Sequence, residues 1–235
     1  MSLRLLLVLA ATAAAVMQAA TAAHGAWQQH LIGRSVEGRP IEAYELGPAG
    51  GRAVLVVGCI DGNEPAGIAI ADMLRRLTPP AGVDLWVVPV LNPDGRAAGT
   101  LGNAHGVDLN RNFPFAWKRL GGSGTFDSGP RALSEPESAA AYRLILRIKP
   151  RLSIWFHQHL AVVDDSQGAL APERTLARLV GLPLERLTDY PGSVASWENH
   201  TLPGSTAFVV ELPAGFLTPA RVRVYAHAVL AAARL

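Results

Sequence analysis

Four short stretches of this chain hold residues able to do chemistry together. Asn110-Arg111-Asn112 sets a fixed cation between two amides. A guanidinium stays protonated and makes bidentate bonds to a carboxylate, so the cluster suits a pocket that grips a substrate's carboxylate. Asp61-Gly62-Asn63-Glu64 puts two carboxylates three residues apart on a turn, where both can face one point. His157 directly follows the apolar run Ile154-Trp155-Phe156 and can complete a three-ligand site. Three protein ligands with one position left open is how catalytic zinc is usually held. Glu211 ends a second apolar run, Ala207-Phe208-Val209-Val210, with Pro213 and Gly215 stiffening the chain beyond it. Each residue also has a plainer role available: Asp61 as a helix cap, Arg111 as a loop staple on Asp108, Glu211 as an exposed strand end. His159 shares a strand face with His157 and is a fallback ligand, though a solvent-facing role suits it better.

These residues need elements to position them. Residues 31–46 read as a hairpin turning at Glu37-Gly38-Arg39. The run 53–60 is continuous and β-branched, as in a strand buried on both faces, and 83–91 is a second such strand. Helices are expected over 65–77, from Ser134 to about 148, over 172–180 and over 219–233. Ser134 and Glu137 have the spacing of a capping box. Further strands are expected at 152–156 and 206–210, and 100–131 reads as a long functional loop rich in Gly, Asn and Pro. Alternating buried strands and helices predict an α/β domain with a mixed, largely parallel central sheet and helices on both faces. In such sheets ligands bind beyond the carboxyl ends of strands, which is where Asp61, Glu64, Asn92, His157 and Glu211 all fall.

The stretch Asn103-Ala104-His105-Gly106-Val107-Asp108-Leu109-Asn110-Arg111-Asn112-Phe113-Pro114 resembles the substrate-anchoring segment of carboxypeptidase A-type zinc metallopeptidases. The resemblance includes Val88-Pro89-Val90-Leu91-Asn92-Pro93-Asp94-Gly95 and Phe208-Val209-Val210-Glu211-Leu212-Pro213. It implies Zn2+ held by Asp61, Glu64 and His157, with Glu211 as the catalytic base. It also implies that Asn110 and Arg111 bind the substrate's terminal carboxylate, with Tyr190 as a candidate for the family's mobile tyrosine. Two positions depart from the pattern. Asp61 stands where the family has His, and Leu101 stands where it usually has an oxyanion-stabilising Arg. An Asp δ oxygen sits as many bonds from the backbone as a His δ nitrogen, and Asp is an acceptable zinc ligand. Two carboxylates and a neutral imidazole cancel the metal's charge, however, so the metal should acidify water less. Losing one oxyanion donor typically costs ~10²–10³ in rate. Arg96, nearby in sequence, is a candidate substitute.

The remaining composition sets bounds. With 235 residues the chain is long enough for one full core, and a net charge of +2 gives no case for nucleic acid or an anionic membrane. Arg4 followed by the apolar run 5–17 and Thr21-Ala22-Ala23 has the form of a secretory signal peptide. The expected organisation is therefore a signal peptide at 1–23 and a catalytic domain at 24–235, secreted or in the periplasm or cell envelope. Cys59, the sole cysteine, lies in a buried apolar run and reads as a small hydrophobe. The reading that results is a secreted metallocarboxypeptidase-like hydrolase, monomeric, acting on peptides with a free C-terminal carboxylate. Its compact size resembles murein-peptide amidase-like members of the family. Two alternatives are a pseudoenzyme that binds peptide C-termini without turnover, and an acyl-amino-acid deacylase.

Overall fold

The computed structural model describes residues 27–121, 126–166 and 168–235. The expected signal segment lies outside them. At the sheet's centre, β3 (Arg52–Val57) and β4 (Val83–Val88) are buried along almost their whole length. Their unbroken apolar runs follow from this, because both faces must be covered. β3 pairs in parallel with β4 and with β5 (Leu152–Asp164). β5 pairs in parallel with β7 (Thr206–Pro213) and, at its far end, with the short β6 (Leu184–Glu185). The hairpin of β1 (Trp27–Arg34) and β2 (Pro40–Leu46) joins β4 antiparallel, which makes the seven-stranded sheet mixed.

Side chains alternate between two cores. Val54, Val56, Ile154, Phe156, Phe208 and Val210 face α1 (Ala66–Leu74), α4 (Leu170–Val180) and α6 (Pro219–Ala232). Leu55, Val57 and Trp155 face α3 (Pro136–Ile148) and α5 (Val194–Thr201). A short helix, α2 (Pro93–Ala98), and a 3-10 turn at Leu109–Arg111 punctuate the long loop side of the fold. No helix among the described residues is long and apolar enough to cross a membrane.

Several boundaries differ from the expectations. The first strand run ends at Val57, because Gly58-Cys59-Ile60 turns away to deliver Asp61. The second ends at Val88 for the same kind of reason, as Leu91 N–H bonds back to the Cys59 carbonyl. β5 runs to Asp164, eight residues past the expected end, because β7 continues beside it. Neither α2, α5 nor β6 shows a periodic apolar run long enough to be predicted. The capping box at Ser134 does not form: Glu135 is the N-cap residue and makes no side-chain cap. Glu137 instead accepts the Val36 N–H at 3.0 Å and the Asn103 amide at 3.0 Å, tying α3 to the hairpin and the loop.

Candidate metal centre and substrate cleft

The turn leaving β3 is held from three sides. Gly62 N–H bonds to the Leu101 carbonyl at 3.1 Å, and Glu64 N–H to the Asp61 carbonyl at 3.0 Å. A Cβ on Gly62 would overlap the Gly95–Arg96 peptide, so only glycine lets the turn lie against α2. Gly67 likewise lets α1 approach the Gly58 carbonyl and Phe156. Asp61 does not cap α1: its N-cap residue is Pro65, without a side-chain bond. Cys59 is fully buried and its thiol points to the Asp61 carbonyl at 3.2 Å. Burial, then the charge of Asp61, pushes that thiol up to about 12, which makes it an inert hydrophobe.

His157 is on β5, directly beside Glu211 in the parallel register with β7. Its Nδ1 lies 3.0 Å from Asp61 Oδ2 and 3.2 Å from Glu64 Oε2. One atom from each of these residues lies within 4.8 Å of the others. Glu64 Oε2 also accepts the Gln158 N–H at 2.9 Å, which locks the carboxylate toward the strand. Burial opposes a charged imidazole at His157, but the Asp61 and Glu64 carboxylates outweigh it and hold its pKa well above the ordinary value. Asp61 Oδ1 is buried without a hydrogen-bond partner. Two oxygens and a nitrogen gathered at this spacing, with the second Asp61 oxygen left unpartnered, fit a divalent cation.

Asn110 and Arg111 lie beside this centre. Asn110 Nδ2 approaches His157 Nε2 at 3.3 Å, while its Oδ1 accepts the Val194 N–H at the start of α5 at 3.0 Å. Arg111 is buried, donates to the Asn110 carbonyl at 2.9 Å, and stands 3.8 Å from Asp108. That is too long for a hydrogen bond, so the staple on Asp108 is a loose ionic contact. The guanidinium carbon sits 4.2 Å from the Tyr190 ring centroid and 5.2 Å from that of Phe126. Its Nε makes no hydrogen bond, so the cation is positioned but not saturated. Burial, then the charge of Asp61, pushes Asp108 up to about 7, with Arg111 and His157 acting the other way. Burial raises Glu211 above the usual carboxylate range, and Glu64 and Asp61 add to the rise, while His157 and the Leu160 N–H oppose it.

A cleft of about 560 Å³ joins these groups: Asp61, Glu64, Asn110, Arg111, His157, Tyr190 and Glu211 all line it. Leu101 and His159 line it as well, and Arg96 is not among its lining residues. Sequence reasoning missed Phe126, which the cleft also includes, and the action of the Asp61 charge on Asp108. It also missed Glu198, which lies fully buried under β5 and accepts bonds from Ser153 Oγ at 2.6 Å and Trp155 Nε1 at 2.9 Å. The spacing of Asp108 to Arg111 was the one signal available; Glu198 sits in an ordinary helical stretch.

A family model described as zinc carboxypeptidase matches residues 14–164. Murein peptide amidase A of Escherichia coli (strain K12) is 34% identical over 179 residues, covering 70% of this chain and 74% of that protein. Its counterpart of the same name in Vibrio campbellii (strain ATCC BAA-1116) is 33% identical over 197 residues, covering 77% of each chain. The crystal structure of a murein-tripeptide amidase from Escherichia coli O157 superposes with a TM-score of 0.71 at 29% identity, over 88% of this chain and 92% of that one. Carboxypeptidase A from Helicoverpa armigera shares the fold, with a TM-score of 0.68 at 18% identity over 90% of this chain and 70% of that one.

Proposed function

The chain belongs to the zinc carboxypeptidase family and is a metallopeptidase, and from that premise we propose that it hydrolyses an amide bond next to a free C-terminal carboxylate. Peptides of the bacterial cell wall are the proposed substrates, by analogy with the murein peptide amidases, and the segment 1–23 is proposed to export the chain to the envelope or beyond. The observation that carries the reading is the shared cleft: three metal-type donors, one buried arginine and one half-buried carboxylate face the same space.

Asp61, Glu64 and His157 would hold Zn2+. When bound, it supplies Lewis acidity, polarising the scissile carbonyl and acidifying a water. Arg111 binds the terminal carboxylate through its free guanidinium edge, and Asn110 lies beside it. The Tyr190 and Phe126 rings pack on the guanidinium and restrict its water, which strengthens the ion pair it makes. Glu211 takes the proton of the attacking water on a carboxylate oxygen and passes it to the leaving amine nitrogen. Its raised pKa suits this shuttle, because a carboxyl too acidic would hold no proton to return.

A second reading is favoured by Leu101, an apolar residue in the cleft lining at the position where the family usually carries a cation. On that reading the protein binds peptide C-termini without turnover. The test is hydrolysis of cell-wall-type peptides with free and amidated C-termini, with N-acyl amino acids as a third substrate and metal content measured in parallel. Cleavage of the free-carboxylate peptides alone supports the peptidase proposal. Metal-free protein that binds these peptides without cleaving them supports the second reading, and turnover of N-acyl amino acids alone would replace both.

A further inference from the structure

The donor set bears on which cation the centre prefers. Asp61 brings two oxygens to a position where an imidazole would bring one nitrogen. Oδ2 faces His157 Nδ1 at 3.0 Å. Oδ1 is buried with no donor near enough to bond it. A buried carboxylate oxygen left unpaired is costly, and no other group among the described residues relieves it. A cation at the centre would.

The surroundings are rich in oxygen as well. Glu64 completes the donor set with His157. Glu211 lies beside His157 in the register, and the charges of Glu64 and Asp61 both reach it. Asp108 is close enough to feel the charge of Asp61, and its Oδ1 is committed to the Asn110 N–H at 2.9 Å. Carboxylates and water suit manganese, magnesium and calcium, whereas imidazole suits zinc, copper and nickel. At any nitrogen–oxygen site the intrinsic order still keeps zinc ahead of manganese, so a harder donor set changes the ratio of affinities more than their order.

We propose that Asp61 tunes this centre toward oxygen-preferring divalent cations, so that manganese(II) competes with zinc far better than it would with histidine at position 61. The proposal rests on the metallopeptidase reading above and concerns the metal alone.

The experiment measures zinc and manganese(II) dissociation constants for chelator-stripped protein by competition with a chromophoric chelator. It uses wild type, Asp61→His and Asp61→Asn. Electron paramagnetic resonance of bound manganese gives a readout independent of activity. The quantity compared is the manganese-to-zinc ratio of dissociation constants within each protein, which cancels any general loss of affinity from imperfect folding. The ratio should rise at least about tenfold in Asp61→His. It should rise in Asp61→Asn as well, because one charged oxygen is lost. An unchanged or lower ratio in both variants, with zinc still bound by the wild type, overturns this proposal and leaves the metallopeptidase reading intact. A wild type that binds neither metal overturns both.

Discussion

Glu198→Gln should flatten the dependence of stability on pH. Glu198 is fully buried beneath β5, where it bonds Trp155, two positions before His157 on the same strand. Burial pushes its carboxyl up to about 7, from an ordinary 4.5, and the bonds from Ser153 and Trp155 only partly oppose this. The native state therefore favours the neutral acid. In that form one oxygen accepts from Trp155 and the other donates to Ser153, whose hydroxyl can reverse its role. A folded pKa raised above the unfolded one means that this contribution is complete below about pH 4.5 and is lost as pH rises toward about 7. The gap between those values, at about 1.36 kcal/mol per pH unit, amounts to about 3 kcal/mol. Glutamine keeps the acceptor for Trp155 and supplies a fixed donor for Ser153. Urea denaturation between pH 4.5 and 8 measures the outcome. Wild type and variant should be equal within about 0.5 kcal/mol at the acid end. The variant should be the more stable by up to about 3 kcal/mol at pH 8. A constant difference between the two across the range would refute the reasoning, because it would show that Glu198 does not change its protonation between the folded and unfolded states.

Three further outcomes are expected. Arg111→Ala should weaken binding of peptides with a free C-terminus by about 10- to 100-fold and leave amidated peptides nearly unaffected, as read by calorimetry; equal losses for both would remove Arg111 as the anchor. Glu211→Gln should lower kcat by about 10²–10⁴ while peptide affinity and metal content persist, as read by steady-state kinetics and metal analysis. Gly62→Ala should destabilise the fold by about 1–3 kcal/mol, because its methyl group meets the Gly95–Arg96 backbone, and should weaken zinc binding by moving Asp61; a variant as stable as wild type would show that the turn has room to shift.

The sequence by itself determined the sheet's interior and several of the polar residues that line the cleft. Runs such as 53–57 and 83–88 are apolar at nearly every position, and only strands covered on both faces need that. Asp61, Glu64, Asn110, Arg111, His157 and Glu211 were legible because each sits at a strand end or in a polar cluster on a loop, where such residues are not needed for packing. Tertiary structure decided what those residues touch. The charge of Asp61 acts on Asp108, and His157 lies beside Glu211, across separations of dozens of residues that no local period records. The short elements α2, α5 and β6 were hidden because none carries a long periodic run, and tertiary contacts help to fix them, as when Asn110 receives the first N–H of α5 and β6 pairs with β5. Glu198 is the plainest case. Its sequence context is that of a surface helix, and only the packing of α5 beneath β5 removes its carboxyl from water, which raises its pKa beneath the strand that carries His157.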